Sequence, residues 1–154
     1  MTERELATAY EDAEESPGLL LWQITNRWQA AQRAALKPHG LTHVQFVLLA
    51  ALTWLGSEGP VTQKQLADYV ATDPMMTSQV LRALESAELV ERLPHPTDKR
   101  ARALRVTAAG RELANRAVGV VEECDRRFFE PLGELATPFT QSLQRLKAGG
   151  GPVG

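Results

Sequence analysis

Residues Thr62–Gly110 read TQKQLADYVATDPMMTSQVLRALESAELVERLPHPTDKRARALRVTAAG, and this stretch decides the fold. Thr62 is a good N-cap, because its hydroxyl can accept from a free amide of the first helical turn. Gln65, three residues on, completes a capping-box pattern. Leu66, Ala67 and Val70 then give a short apolar face at helical spacing. A second start follows Ala71: Asp73 as N-cap and Pro74 at the first helical position, where a missing N–H costs nothing. Met76, Val80, Leu84 and Ala87 recur at about one-turn intervals and are expected to face inward. Two helices joined by so short a turn must cross rather than run antiparallel, which is helix-turn-helix geometry.

Met75, Thr77, Ser78, Gln79 and Arg82 lie off that stripe, with Thr77 at its edge. These short or hydrogen-bonding side chains can enter a major groove and meet base edges, Gln suiting adenine and Arg suiting guanine. Taken alone, the same face also fits plain solvation. The next residues weigh against that. Leu89-Val90 and Leu104-Arg105-Val106 read as short strands around the turn-rich loop Pro94 to Ala101, which makes a hairpin. It carries Arg92, Lys99, Arg100, Arg102 and Arg105 against Glu91 and Asp98, a local charge of +3 in a chain whose net charge is −2. A cationic tip beside a presented helix suits the minor groove and its phosphates. Amides at the starts of the Thr42 and Thr62 helices add two further phosphate sites.

The stretch resembles the winged helix-turn-helix of MarR-type transcriptional regulators. The matching pieces are LADYV, MTSQVLRALE, LVERL, PTDKRARALRVT and TAAG, in that order. Asp98 and Arg100 match the family's Asp-x-Arg wing signature. The resemblance implies that Asp98 braces the wing through a salt bridge and that Arg100 reaches DNA, with Lys99 and Arg102 holding the wing to it. The match is close over Leu41–Gly110 and loose in the flanking helices. One departure stands out: Glu88, at the exit of the reading helix, replaces the family's usual glycine. A left-handed backbone there costs on the order of 1 kcal/mol for a residue with a Cβ.

The rest of the chain reads as support for this unit. At 154 residues and 44% hydrophobic it is one globular domain. Met1 to Ser16 is an acidic segment, with six acids against one arginine. Ser16 caps and Pro17 begins a helix whose stripe is Leu20, Ile24, Trp28, Ala31 and Ala35, ending at Pro38-His39-Gly40. Thr42 and Gln45 make a capping box for a central, buried helix from Thr42 to Leu55. Val61 is placed as a short strand against the hairpin. Thr107 caps a long helix with the stripe Leu113, Ala117, Val120, Val121, Cys124 and Phe128. Thr137-Pro138 is the expected start of a last helix carrying Phe139, Leu143 and Leu146. The chain is therefore read as mainly α, a winged helix-turn-helix over residues 41–106 with a small β-hairpin wing. Residues 17–40 and 107–147 form its N- and C-terminal dimerisation helices, and 148–154 a flexible tail. The interlocking of those helices between two chains, on double-stranded DNA with half-sites about one turn apart, is implied by the resemblance.

The resemblance also implies a small aromatic effector between the reading lobe and the dimer helices. Trp22, Trp28, His43, Phe46 and Trp54 are the candidate pocket residues. For the two N-terminal tryptophans, plain packing in the core or at a dimer contact is the reading preferred over a ligand pocket. His43, in the first turn of its helix, is disfavoured as a cation by the helix dipole.

Other chemistry is not written in the sequence. Cys124 is the only cysteine, which excludes an internal disulfide and a cysteine zinc site. Its neighbours Glu122, Glu123 and Asp125 disfavour the thiolate, while Arg126 and Arg127 favour it. A packed, inert thiol is the reading preferred over a redox sensor. There is no phosphate loop, nucleophile elbow or HExxH, so no catalytic, metal or cofactor residue is assigned. The N-terminus lacks a secretory pattern and no apolar run would span a bilayer, which together imply a cytoplasmic protein. Two alternatives remain open: a winged protein–protein module without DNA binding, which the near-neutral charge and Glu88 would fit, and a redox switch at Cys124.

Overall fold

The computed structural model of the chain describes residues 5–150, so the first four residues of the acidic segment and the last four of the tail lie outside the described residues. Its helices are α1 Pro17–Leu36, α2 His43–Gly56, α3 Gln63–Val70, α4 Pro74–Ser86, α5 Ala108–Phe129 and α6 Ala136–Gly149. Its strands are β1 Val61–Thr62, β2 Val90–Pro94 and β3 Arg102–Val106.

Local chemistry sets the helix starts. Ser16 Oγ accepts from the Leu19 amide at 3.2 Å, and Asp73 Oδ1 from the Met76 amide at 2.8 Å. Thr42 with Gln45, and Thr62 with Gln65, close complete capping boxes. Thr107 Oγ1 accepts from the Gly110 amide at 3.1 Å. The last helix is the exception. Thr137-Pro138 lies inside the first turn of α6, whose N-cap, Leu135, makes no side-chain bond. A 3-10 segment, Glu130–Leu135, runs straight into α6, and the Gly133 carbonyl accepts from the Ala136 amide. The helix therefore needs no hydroxyl cap. The expected tail is also shorter, since α6 reaches Gly149.

The three strands form one antiparallel sheet in the order β1-β3-β2. Val90 pairs with Val106 and Pro94 with Arg102, and Val61 pairs with Leu104. The hairpin is longer than expected. Its charged residues continue the ladder because Glu91 and Arg105, directly opposite, form an ion pair.

Leu48, Leu49, Leu52, Leu66, Leu81, Leu84, Val90 and Leu104 build the main core between α2, α3, α4 and the sheet. Leu36, Leu41, Phe46, Ala117 and Val121 build a second, where α1 and α2 meet α5. Each fully buried leucine contributes about 1.5–3 kcal/mol.

The inward stripe of α4 keeps Val80, half-buried against the core, and the buried Leu84 from the expected one, but has Thr77 and Leu81 in place of Met76 and Ala87. Thr77, Leu81 and Leu84 are 0%, 0% and 1% exposed, whereas Met76 is 44% exposed and Ala87 is also exposed. Burial of Thr77 is tolerated because its hydroxyl donates to the Asp73 carbonyl at 2.8 Å and meets Thr72 Oγ1 at 2.7 Å. Thr77 therefore holds the turn between α3 and α4 and cannot be part of an outward face.

Glu88 does take the left-handed conformation, with φ of 59°. Its amide bonds the Glu85 carbonyl at 2.9 Å and the Leu89 amide bonds the Leu84 carbonyl at 3.0 Å, the two bonds of a Schellman motif. Ala71, with φ of 61°, also ends α3 in the left-handed conformation, its amide and that of Thr72 both donating to the Ala67 carbonyl. The exit of α4 is then locked to the start of α5. Thr107 Oγ1 donates to the Glu88 carbonyl at 2.7 Å, and the Thr107 amide donates to the Leu89 carbonyl at 3.0 Å. A Cβ at Gly110 would stand 2.1 Å from that same Leu89 carbonyl oxygen, so only glycine permits this approach.

Apolar residues are left uncovered at both ends of the chain. Leu21 and Trp22 of α1 are 57% and 69% exposed, and α6 buries none of its residues. Among the described residues no helix is long and apolar enough to cross a membrane.

Candidate nucleic-acid interface

The face of α4 opposite Thr77, Leu81 and Leu84 presents Met75, Gln79 and Arg82, spaced one turn apart on one stripe. Met75, Gln79 and Arg82 are all exposed. Ser78 is half-buried and its Oγ accepts from the Arg82 guanidinium at 3.1 Å, so it orients that arginine along the helix surface. Four of the five outward residues expected from the sequence are thus placed together, and Thr77 is withdrawn for the reason given above.

The hairpin sorts its cations into two groups. Arg105 is tied to Glu91, and Arg92 crosses to Glu85 on α4. The Arg92–Glu85 pair is half-buried and fastens the wing root to the reading helix. Lys99, Arg100 and Arg102 are exposed, and among the described residues none has an acid within 4.0 Å. A phosphate could approach these three without displacing an internal partner.

The tip is shaped by its own backbone. His95 Nδ1 accepts from the Asp98 and Thr97 amides at 3.1 and 3.2 Å. Asp98 Oδ1 accepts from the Arg100 amide at 3.0 Å. The bracing expected of Asp98 as a salt bridge is instead an Asx turn: the carboxylate closes on the amide two residues ahead, and among the described residues it forms no ion pair. Thr62 is likewise occupied, its hydroxyl by the Gln65 amide at 3.1 Å, which leaves first-turn amides of α3 for a phosphate.

The candidate pocket residues are only partly brought together. Trp28 and His43 meet edge to face with ring centroids 4.9 Å apart. Phe46 is buried in the neighbouring core cluster. Trp22 and Trp54 are 69% and 72% exposed, and among the described residues no ring contact joins them to that pair. Asp125 of α5 accepts from Trp28 Nε1 at 2.7 Å and from Gln32 Nε2 at 2.6 Å. Burial lowers the His43 pKa; Asp125 opposes this and Arg33 adds to it. The imidazole is therefore mainly neutral near pH 7, with burial as the largest of these three causes. Two open grooves lie elsewhere. One, of about 510 Å³, is lined by Leu52, Pro60, Pro94 and Arg111, and the other, of about 620 Å³, by Ala31, Ala35, Cys124 and Phe128.

Burial raises the Cys124 thiol above its ordinary pKa, and Asp125 raises it further. Arg126 and Arg127, read from sequence as pulling toward thiolate, both donate to Glu123 and hold its carboxyl down to about 2. Only Arg127 retains a small lowering effect on the thiol.

Sequence reading missed the contacts of Arg92 with Glu85, of Arg105 with Glu91, of His95 at the tip, and of the pair of donors on Asp125. Trp28 and Gln32 do share a helix face at i, i+4, a signal that could have flagged a polar pair facing α5.

Comparison with known proteins fits this geometry. The MarR family model matches residues 41–101. The chain is 42% identical over 132 residues to YdcH of Bacillus subtilis, an uncharacterised HTH-type transcriptional regulator, covering 85% of this chain and 89% of the relative. It is 34% identical to Rv2887 of Mycobacterium tuberculosis, an HTH-type transcriptional repressor, covering 87% of this chain and 93% of the relative. The crystal structure of Rv2887 with salicylic acid superposes with a TM-score of 0.67 at 32% identity, over 88% of this chain and 98% of that one. The repressor CouR bound to a 23-mer DNA duplex superposes with a TM-score of 0.76 at 26% identity, over 90% and 96%.

Proposed function

The chain belongs to the MarR family of HTH-type transcriptional regulators, which are not enzymes, and from that premise we propose a homodimeric repressor that reads a roughly palindromic operator. The observation that carries this reading is the outward stripe Met75, Gln79 and Arg82 beside three wing cations that lack internal acid partners. Each α4 would enter a major groove, with half-sites about 10 bp apart. Lys99, Arg100 and Arg102 would follow the adjoining phosphates and minor groove. The uncovered apolar faces of α1 and α6 support dimerisation through the terminal helices, residues 17–40 and 107–147. The repressor names of the relatives and the salicylic acid bound by Rv2887 support release by a small aromatic ligand, with Trp28 and His43 as its nearest ring partners.

Selection of bound duplexes from a random pool, with light scattering on the complex, tests the core of the proposal. A palindromic consensus held by two chains is expected; a monomer, or no duplex binding even at low salt, overturns it. Arg100→Ala should weaken all duplexes by a similar factor and reduce the salt slope by about 1 unit. An unchanged slope would remove the wing from the mechanism. Thermal shift against a panel of aromatic acids tests the effector, and no shift with any of them counts against it.

A further inference from the structure

The first turn of α4 carries two methionines in succession, Met75 and Met76, 72% and 44% exposed. The fold has no evident use for the first of them. The buried stripe of the helix is Thr77, Leu81 and Leu84, and Met75 stands on the opposite side, one turn before Gln79 and two before Arg82. A large apolar side chain so placed gains only when a partner offers apolar surface. The N-terminal residues of a reading helix are the ones that meet base edges. On the floor of a major groove the apolar feature is the C5 methyl of thymine.

We infer that Met75, flanked by Met76, reads thymine methyl groups in each half-site, next to the base pairs met by Gln79 and Arg82. This rests on the DNA-reading proposal above and adds a base preference to it. Methionine suits the task because its unbranched, polarisable chain can settle on a methyl group without a fixed rotamer. Asp73 caps this turn and Pro74 opens it, so the backbone that carries both methionines is held.

The test uses the full chain and the duplex recovered by selection. Each thymine is replaced singly by deoxyuridine, which deletes one methyl and leaves every hydrogen-bonding group in place. At one or two positions per half-site the affinity should fall about fourfold per methyl. Met75→Ala should weaken the thymine duplex by a similar factor and become indifferent to the same replacements, with its melting temperature unchanged because the side chain is exposed. Equal affinity for every deoxyuridine duplex overturns the inference and leaves DNA reading intact. So does a methyl effect that persists in the Met75→Ala/Met76→Ala double variant. Failure of the wild-type chain to bind any duplex strikes the proposed function instead and takes this inference with it.

Discussion

Leu81 of α4 and Leu146 of α6 sit on helices of 13 and 14 residues, yet the first is fully buried and the second is 69% exposed. The contrast extends to the regions around them. The reading lobe, α2 to β3, closes its core with the help of Ala114 of α5, and six leucines of the main cluster are at 1% exposure or less. The terminal helices hold leucine and tryptophan out toward solvent. The leucines of the main cluster are closed off within one chain, whereas α6 and the outer side of α1 leave theirs in want of cover.

The largest effect should expose that division directly. Leu81→Ala should cost about 3–4 kcal/mol in urea unfolding, from lost burial and the cavity left behind. Leu146→Ala should change the stability of a dilute sample by no more than about 0.5 kcal/mol, any further loss appearing only as a dependence on protein concentration. Comparable costs for the two in dilute protein would erase the distinction. Next in size, Glu88→Gly should stabilise the lobe by about 0.5–1 kcal/mol, because the left-handed site then carries no Cβ. A loss on that substitution would mean the glutamate makes an interaction that outweighs its backbone strain. The smallest effect concerns His43, which lies between the two regions. Its folded pKa is held below the ordinary 6.5 by burial, so the unfolded chain takes up the proton first. Its contribution to stability is therefore present above 6.5 and is lost as pH falls through the lower folded value. Urea midpoints from pH 7.5 to 5 should fall more for wild type than for His43→Asn, and parallel curves would contradict the assignment.

The same division governs how far the sequence could be read. Starts of helices are local events, so Ser16, Thr42, Thr62, Asp73 and Thr107 were all legible as caps. The start of α6 was not, because a 3-10 segment with a kink at Gly133 takes the place of a cap. The α4 stripe was misread at Met76 and Thr77 because a methionine looks like core and a threonine does not. Only the tertiary contact of Thr77 with Thr72 reverses that. Gln79, Arg82 and the wing cations were legible because composition alone concentrates them. Which cations are tied down was not, since Arg92 and Arg105 find their acids across a helix and a strand. The aromatic candidates suffered most: hydrophobic letters do not say whether a ring is buried, as Phe46 is, or bare, as Trp22 and Trp54 are.

The meeting of Glu88, Leu89, Thr107 and Gly110 has a mechanical result. Two hydrogen bonds and a side-chain-free contact join the end of one helix to the beginning of another with no slack between them. A rotation of the long α5 shaft would therefore be passed to α4, and the groove-facing stripe would turn with it. A methyl group at position 110 would act as a shim in that joint, tilting the stripe even where the chain still folds.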